Sequence, residues 1–167
     1  MWTRCRPAFL ACEHFGLKPD IVTLAKGLGG GLPIGAVVMS QKVAAHMGPG
    51  SHGSTFGGNP VCCAGALAVL DTMDEAFLAQ VRERAAQLRA GLAALHVQQV
   101  SGLGLMVGIE LADGIKAAEV RAACEREGLL VLTAKTRLRL LPPLILTADD
   151  VAAALATLRR VLENTRS

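Results

Sequence analysis

In the stretch Pro19–Ser40, PDIVTLAKGLGGGLPIGAVVMS, one lysine stands between an apolar run and a string of glycines. Lysine is the side chain least at home beside a buried strand, so Lys26 either reaches solvent or is needed where it sits. The chemistry that wants an amine there is Schiff-base formation. To attack an aldehyde the amine must be partly unprotonated, and low exposure in an apolar or cationic surround lowers a lysine pKa of about 10.4. The glycines beside it let the backbone pass close to a flat ring, or bend sharply into the next strand. On spacing alone the plain alternative, a solvated loop lysine, stays open.

A nucleotide site is the other reading that glycines invite, and the order of residues argues against it. A P-loop places its lysine after the glycines and follows it with Ser or Thr, whereas Lys26 precedes them. Neither GLGGGLPIG nor GLGLMVG satisfies G-x-G-x-x-G in register. The second segment able to carry chemistry is GPGSHGSTFGGNP, Gly48 to Pro60, a polar glycine-rich loop of a length usually kept for function.

The elements that must position these segments follow from periodicity and caps. Asp20 to Ala25 reads as a short buried strand and Gly35 to Met39 as a second, which puts Lys26 at a strand end. Ser40 is expected to cap a short helix. Asn59-Pro60 opens a long helical stretch whose Leu70, Met73, Phe77, Val81, Leu88, Leu92 and Leu95 recur at helical spacing, with a break near Asp71 to Asp74. In GLGLMVGIEL, alternation places Leu103, Leu105, Val107, Ile109 and Leu111 on one face of a strand. A helix near Lys116 to Glu127, two strands in LLVLT and LRLLPPLIL, and a final helix opened by Thr147 with Asp150 in capping-box spacing complete the chain. This last part reads as a small α+β domain of two or three antiparallel strands covered by helices.

Composition narrows the function classes. With 167 residues, 51% of them hydrophobic, the chain can bury a core, and a net charge of +3 gives no basic patch for nucleic acid. There is no tyrosine, and Trp2 and four phenylalanines are all that could stack on bases. Five cysteines, Cys5, Cys12, Cys62, Cys63 and Cys124, form no C-x-x-C pair and read as reduced thiols, Cys62 and Cys63 as buried fillers in a helix. No apolar run reaches the ~18 residues of a membrane helix, and the apolar patch in MWTRCRPAFLACEH ends at Glu13 before a signal core forms. A cytoplasmic protein is expected.

Four blocks in order, PDIVTLAKGLGGGLPIGAVV, HGSTFGGNPVCCAGALAVL, GLGLMVGIEL and LRLLPPLILT, resemble the C-terminal half of the class III (ornithine- and acetylornithine-type) aminotransferases, which use pyridoxal 5′-phosphate. The resemblance runs from about Phe9 to the end. It implies an α/β fold: the C-terminal part of a fold-type I transferase, with residues 1–72 from the large mixed-sheet domain, 73–100 a linking helical segment and 101–167 a small α+β domain. It implies that Lys26 is the lysine that bonds the cofactor aldehyde and shuttles a proton. Ser54 and Thr55 would reach across a homodimer interface to the cofactor phosphate of the other subunit, since hydroxyls and backbone N–H groups suit a dianion. Arg139 would pair with the substrate α-carboxylate. Arg137 points to the same side of a regular strand, and Arg139 is preferred for its distance from Pro142 and Pro143 in the family pattern. The implied reaction moves an amino group to 2-oxoglutarate from acetylornithine or a related ornithine or lysine derivative, including lysine on a carrier protein, in arginine or lysine biosynthesis.

Other parts of the family site would lie before residue 1: the glycine-rich segment for the phosphate within the same subunit, the aromatic residue that stacks on the ring, and the aspartate at the ring nitrogen. The opening MWTRCRPA also departs from the family pattern. The expectation is therefore a fragment, inactive alone, with the first part leaving sheet edges and apolar faces uncovered. The alternative function is an inactive remnant acting as an interaction or oligomerisation module.

Overall fold

A computed structural model describes residues 9–165; Trp2, Cys5 and the departing segment before Phe9 lie outside the described residues. Within them the chain divides into two compact units, 9–78 and 79–165, with the division inside one helix.

In the first unit, helix α1 (Ala11–His14) is a single turn, and strand β1 (Ile21–Leu24) pairs antiparallel with β2 (Ala36–Met39), Leu24 opposite Ala36. A 3₁₀ turn, Lys26–Gly29, follows β1 directly. Helix α2 (Gln41–Ala44) is short, and α3 (Pro60–Thr72) starts where sequence placed it: Asn59 Oδ1 accepts from Val61 and Cys62 N–H at 3.0 and 3.2 Å, with Pro60 at the first position. The break after α3 has a local cause. Asp74 Oδ1 accepts from Phe77 N–H at 2.7 Å, restarting the chain as α4 (Glu75–Ala93). Leu28 and Ala66 form the centre of a small core, with Phe9, Leu24, Ile34, Leu70 and Met73 packed on it. Gly65 permits this contact, since a Cβ there would stand 2.6 Å from Leu32 Cδ1 and 3.2 Å from Gly29 O.

The second unit is a four-stranded antiparallel sheet of order β3-β4-β6-β5, from β3 (Gln99–Leu103), β4 (Met106–Glu110), β5 (Leu132–Ala134) and β6 (Arg137–Leu140). Its helices are α5 (Ala117–Arg126), which follows β4, and α6 (Ala148–Asn164) at the end. Val107, Ile109, Leu138 and Leu140 are buried, as are Val120 and Cys124 of α5, Val151, Leu158 and Leu162 of α6, and the α4 stripe Val81, Ala85, Leu88 and Leu92. Each fully buried Leu or Val contributes about 1.5–3 kcal/mol by leaving water. The capping box of α6 is complete: Thr147 Oγ1 accepts from Asp150 N–H at 3.1 Å, and Asp150 Oδ2 accepts from Thr147 N–H at 2.8 Å.

Four expectations need correction. GLGLMVGIEL is a hairpin, not one strand: Gly104, at φ +53°, starts a two-residue turn that sets Leu103 opposite Met106, and Gly102 at φ +99° would drive a Cβ to 2.1 Å from Met106 O. That hairpin raises the strand count of the small sheet to four. β1 is not a buried strand, for Ile21 is 51% exposed and Val37 and Val38 opposite it are similarly open. Ser40 does not cap α2; its hydroxyl donates to Asp20 Oδ1 at 2.8 Å and closes the end of the β1–β2 pair. Cys62 and Cys63 are half-buried, while Cys124 is the buried thiol. Among the described residues, no helix is long and apolar enough to cross a membrane.

Candidate functional site

Lys26 leaves β1 in the left-handed region, at φ +58°. For a residue with a Cβ this conformation costs roughly 1–2 kcal/mol, and glycine would occupy it freely. The same loop does use glycine where it needs positive φ, at Gly30 (φ +60°) and Gly31 (φ +117°). A lysine at position 26 keeps a side chain in place against a backbone preference. The other such residue, Lys135 at φ +56°, sits in the two-residue turn between β5 and β6, where turn geometry demands it. Beneath Lys26 the loop is anchored: Leu28 and Gly29 are buried, Gly30 N–H donates to Gly27 O at 3.3 Å and Leu32 N–H to Gly29 O at 3.0 Å. The amine itself is exposed and has no hydrogen-bond or ion-pair partner among the described residues. Low exposure at Lys26 was the expectation, and the described residues do not supply that shielding.

Ser54 and Thr55 belong to the same unit, in the exposed loop that leads into the Asn59 cap of α3. Gly57 N–H donates to Ser54 O at 3.4 Å, and a Cβ on Gly57 would meet Ser54 Cβ at 2.9 Å, so the turn is closed tightly around Ser54. Both side-chain hydroxyls are without partners among the described residues. A free amine, two free hydroxyls and glycine backbone form a donor set that suits an aldehyde and a phosphate dianion, so the residues present fit pyridoxal phosphate.

Arg139 lies in the second unit, on the sheet face opposite the one carrying Leu138 and Leu140. Across the strands it faces Gly108 on β4 and Leu132 on β5, neither of which offers a side-chain acceptor. Its Nε is buried and has no partner among the described residues, a costly state for a charged donor. Arg89 Nη2 on α4 shares that state, and nothing in the structure accounts for it. Arg137, on the same face, is satisfied: Nη2 donates to Glu110 Oε2 at 2.7 Å, with longer contacts from Nη1 to Ser101 Oγ at 3.4 Å and from Nη2 to Gln99 Oε1 at 3.5 Å. The two arginines thus differ in occupancy although spacing made them equivalent.

Glu110, Ser101 and Gly108 are the residues near this arginine pair that sequence reasoning missed. Reading GLGLMVGIEL as one strand hid the turn that lays Ser101 beside Gly108. No group of three or more His, Cys, Asp or Glu able to hold a metal exists among the described residues. Two titrations are perturbed among the described residues, and both are structural: burial pushes the Cys124 thiol up, and the hydrogen bonds from Thr147 hold the Asp150 carboxyl below its usual range.

The comparisons with known proteins agree on one family. A family model described as aminotransferase class-III matches residues 6–162, beginning ahead of Phe9. The chain is 51% identical over 153 residues to the acetylornithine aminotransferase of Haemophilus ducreyi, covering 91% of this chain and 39% of the relative. Among solved structures it is similar to N-acetylornithine aminotransferase from Stenotrophomonas maltophilia, with TM-score 0.84 and 31% identity over 98% of this chain and 44% of that one. It is also similar to an ornithine aminotransferase from Toxoplasma gondii with partial occupancy of PLP at its active site, with TM-score 0.87 and 29% identity over 100% of this chain and 42% of that one. The chain therefore spans about two-fifths of the length of the relatives it matches.

Proposed function

The chain belongs to the class-III aminotransferases, and from that premise we propose that it supplies the attachment lysine, a phosphate loop and the carboxylate-binding arginine of a transaminase. The reaction moves an amino group from acetylornithine, or a related ornithine or lysine derivative, to 2-oxoglutarate in arginine or lysine biosynthesis. Pyridoxal phosphate is the cofactor, and when bound it supplies an electron sink for the charge that develops at the substrate carbon bearing the transferred amino group. The observation that carries the reading is the left-handed backbone at Lys26, in a loop anchored by the buried Leu28 and Gly29 that presents an unpartnered amine.

Each residue then has a physical task. Lys26 Nζ would hold the cofactor through its aldehyde and would move the proton at the substrate carbon that bears the transferred amino group. Arg139 would receive the substrate α-carboxylate, and two parallel N–H donors would fix the orientation of the bound acid. Ser54 and Thr55 donate to the phosphate of the partner subunit's cofactor in a homodimer. A cytoplasmic location belongs to the same reading, supported by free thiols at Cys12, Cys62, Cys63 and Cys124. A second reading, a non-catalytic interaction module, is favoured by the exposed Ile21, Val37, Val38 and Met39 of the first unit.

Glutamate formation from N-acetylornithine and 2-oxoglutarate with added pyridoxal phosphate separates the two. It is measured for the chain alone and for the chain with the N-terminal part of a relative supplied in trans. Turnover that disappears in Lys26→Ala is the expected result. Turnover untouched by Lys26→Ala contradicts the assignment, and none in either preparation favours the interaction module.

A further inference from the structure

One face of the small sheet carries two arginines and, among its strand residues, a single acid. Arg137 and Arg139 alternate with the buried Leu138 and Leu140, so both guanidinium groups project from the same side of β6. Glu110 is the lone carboxylate on the four strands, and it is bound to Arg137 at 2.7 Å. Glu110 continues the β4–β6 register directly across from Arg137, with Gln99 of β3 next to it, and Arg137 leans over Gly108 toward Ser101, its Cδ 3.9 Å from where a Cβ would stand. Gly108 is the residue directly across from Arg139. Glu110 lies two residues along β4 from it, which makes Glu110 the diagonal cross-strand neighbour of Arg139, within reach of long side chains.

The pair is poorly placed to serve stability. Its side chains are 42% and 39% exposed, and ion pairs of that exposure contribute little to folding. Its effect on Arg139 is larger, because Arg139 has a buried, unpartnered Nε and no side-chain acceptor on either residue directly across from it, Gly108 and Leu132. A free Glu110 would be drawn to it.

We infer that Arg137 is a positioning residue that holds Glu110 away from Arg139, so that the Arg139 guanidinium stays unpartnered for an incoming carboxylate. The ion pair also sets the charge of the face: two guanidinium groups and one carboxylate leave one net positive charge, centred on Arg139. Removal of Arg137 does two things of the same sign, since it subtracts a cation and frees an internal carboxylate to compete with the ligand. Removal of the Glu110 charge does neither. A structural ion pair predicts equal damage from losing either partner, whereas this arrangement predicts opposite outcomes.

The ligand arm of the test rests on the proposal that Arg139 binds carboxylates; the first arm does not. In the ligand-free chain, the Arg139 Nε–Hε resonance is followed by NMR in the wild type, Arg137→Met, Glu110→Gln and the double variant. Methionine keeps an apolar stem over Gly108 and protects the fold. In Arg137→Met the resonance moves downfield and exchanges more slowly as Glu110 bonds it, and the added Glu110→Gln abolishes the change. Absence of a Glu110-dependent change in Arg137→Met overturns the inference. Titration with 2-oxoglutarate then gives affinities: Arg137→Met weakens binding by about tenfold or more, Glu110→Gln does not weaken it, and the double variant returns close to wild type. Equal losses in both single variants, with no recovery in the double, also overturn it. If the NMR change appears but 2-oxoglutarate binds no variant, the carboxylate role of Arg139 falls and the steering of Glu110 stands.

Discussion

Residues 79–165 and residues 9–78 place comparable apolar sequence in opposite ways. In the second unit the alternating Val107, Ile109, Leu138 and Leu140 are buried, as are the apolar stripes of α4, α5 and α6. In the first, Leu28, Ala66 and Leu78 are the buried hydrophobic side chains among the described residues, while Phe15, Leu17, Ile21, Val37, Val38, Met39 and Leu67 are exposed. An apolar strand is a core strand only when something covers its faces, and the β1–β2 pair has two strands and no covering sheet neighbour among the described residues. Lys26 lies in the open unit, and Arg139 in the packed one.

Mutation should break this contrast unevenly. Leu138→Ala removes a fully buried side chain and is expected to destabilise the second unit by about 3 kcal/mol, read from urea unfolding with residue-resolved hydrogen exchange. Val38→Ala, at a strand position 55% exposed, should change stability by less than about 0.5 kcal/mol. Comparable losses at both positions would mean that the first unit is covered in solution.

A smaller effect sharpens the picture inside the packed unit. Thr147→Ala should cost about 1 kcal/mol through loss of the α6 cap. The Asp150 carboxyl is held below its usual range by the backbone and side chain of Thr147, so its contribution is present at neutral pH and is lost as pH falls below about 4 through the folded value. Protection of the amides along the first turn of α6, measured relative to their intrinsic exchange rates, should therefore fall on acidification, and Asp150→Asn should remove that dependence. One expected effect has the opposite sign. Lys26→Gly relieves the left-handed backbone and should stabilise the first unit by about 0.5–1 kcal/mol while removing the amine; a destabilised variant would show that the Lys26 side chain is held for packing.

Legibility in the sequence followed the same division. Caps were readable because they are local: Asn59-Pro60 and the Thr147/Asp150 box each fall where a few neighbouring residues decide the backbone. The turn at Gly104 was not, since GLGLMVGIEL satisfies strand alternation from end to end, and only the clash of a Cβ at Gly102 with Met106 O reveals the reversal. Ser40 was misread for a related reason: its hydroxyl had a tertiary acceptor, Asp20, that lies twenty residues away. Lys26 stood out by residue type beside glycines, whereas its positive φ belongs to the folded loop alone. Arg137 and Arg139 were equivalent by spacing, and Glu110, across the sheet, is what distinguishes them.

Borohydride reduction of the chain with pyridoxal phosphate, followed by peptide mapping, tests the central claim most directly. The account predicts that one reduced cofactor is fixed on the peptide carrying Lys26, the lysine held in the left-handed conformation at the end of β1. Label spread evenly over Lys18, Lys26, Lys42, Lys116 and Lys135 would contradict it, because Lys26 would then be one surface amine among several.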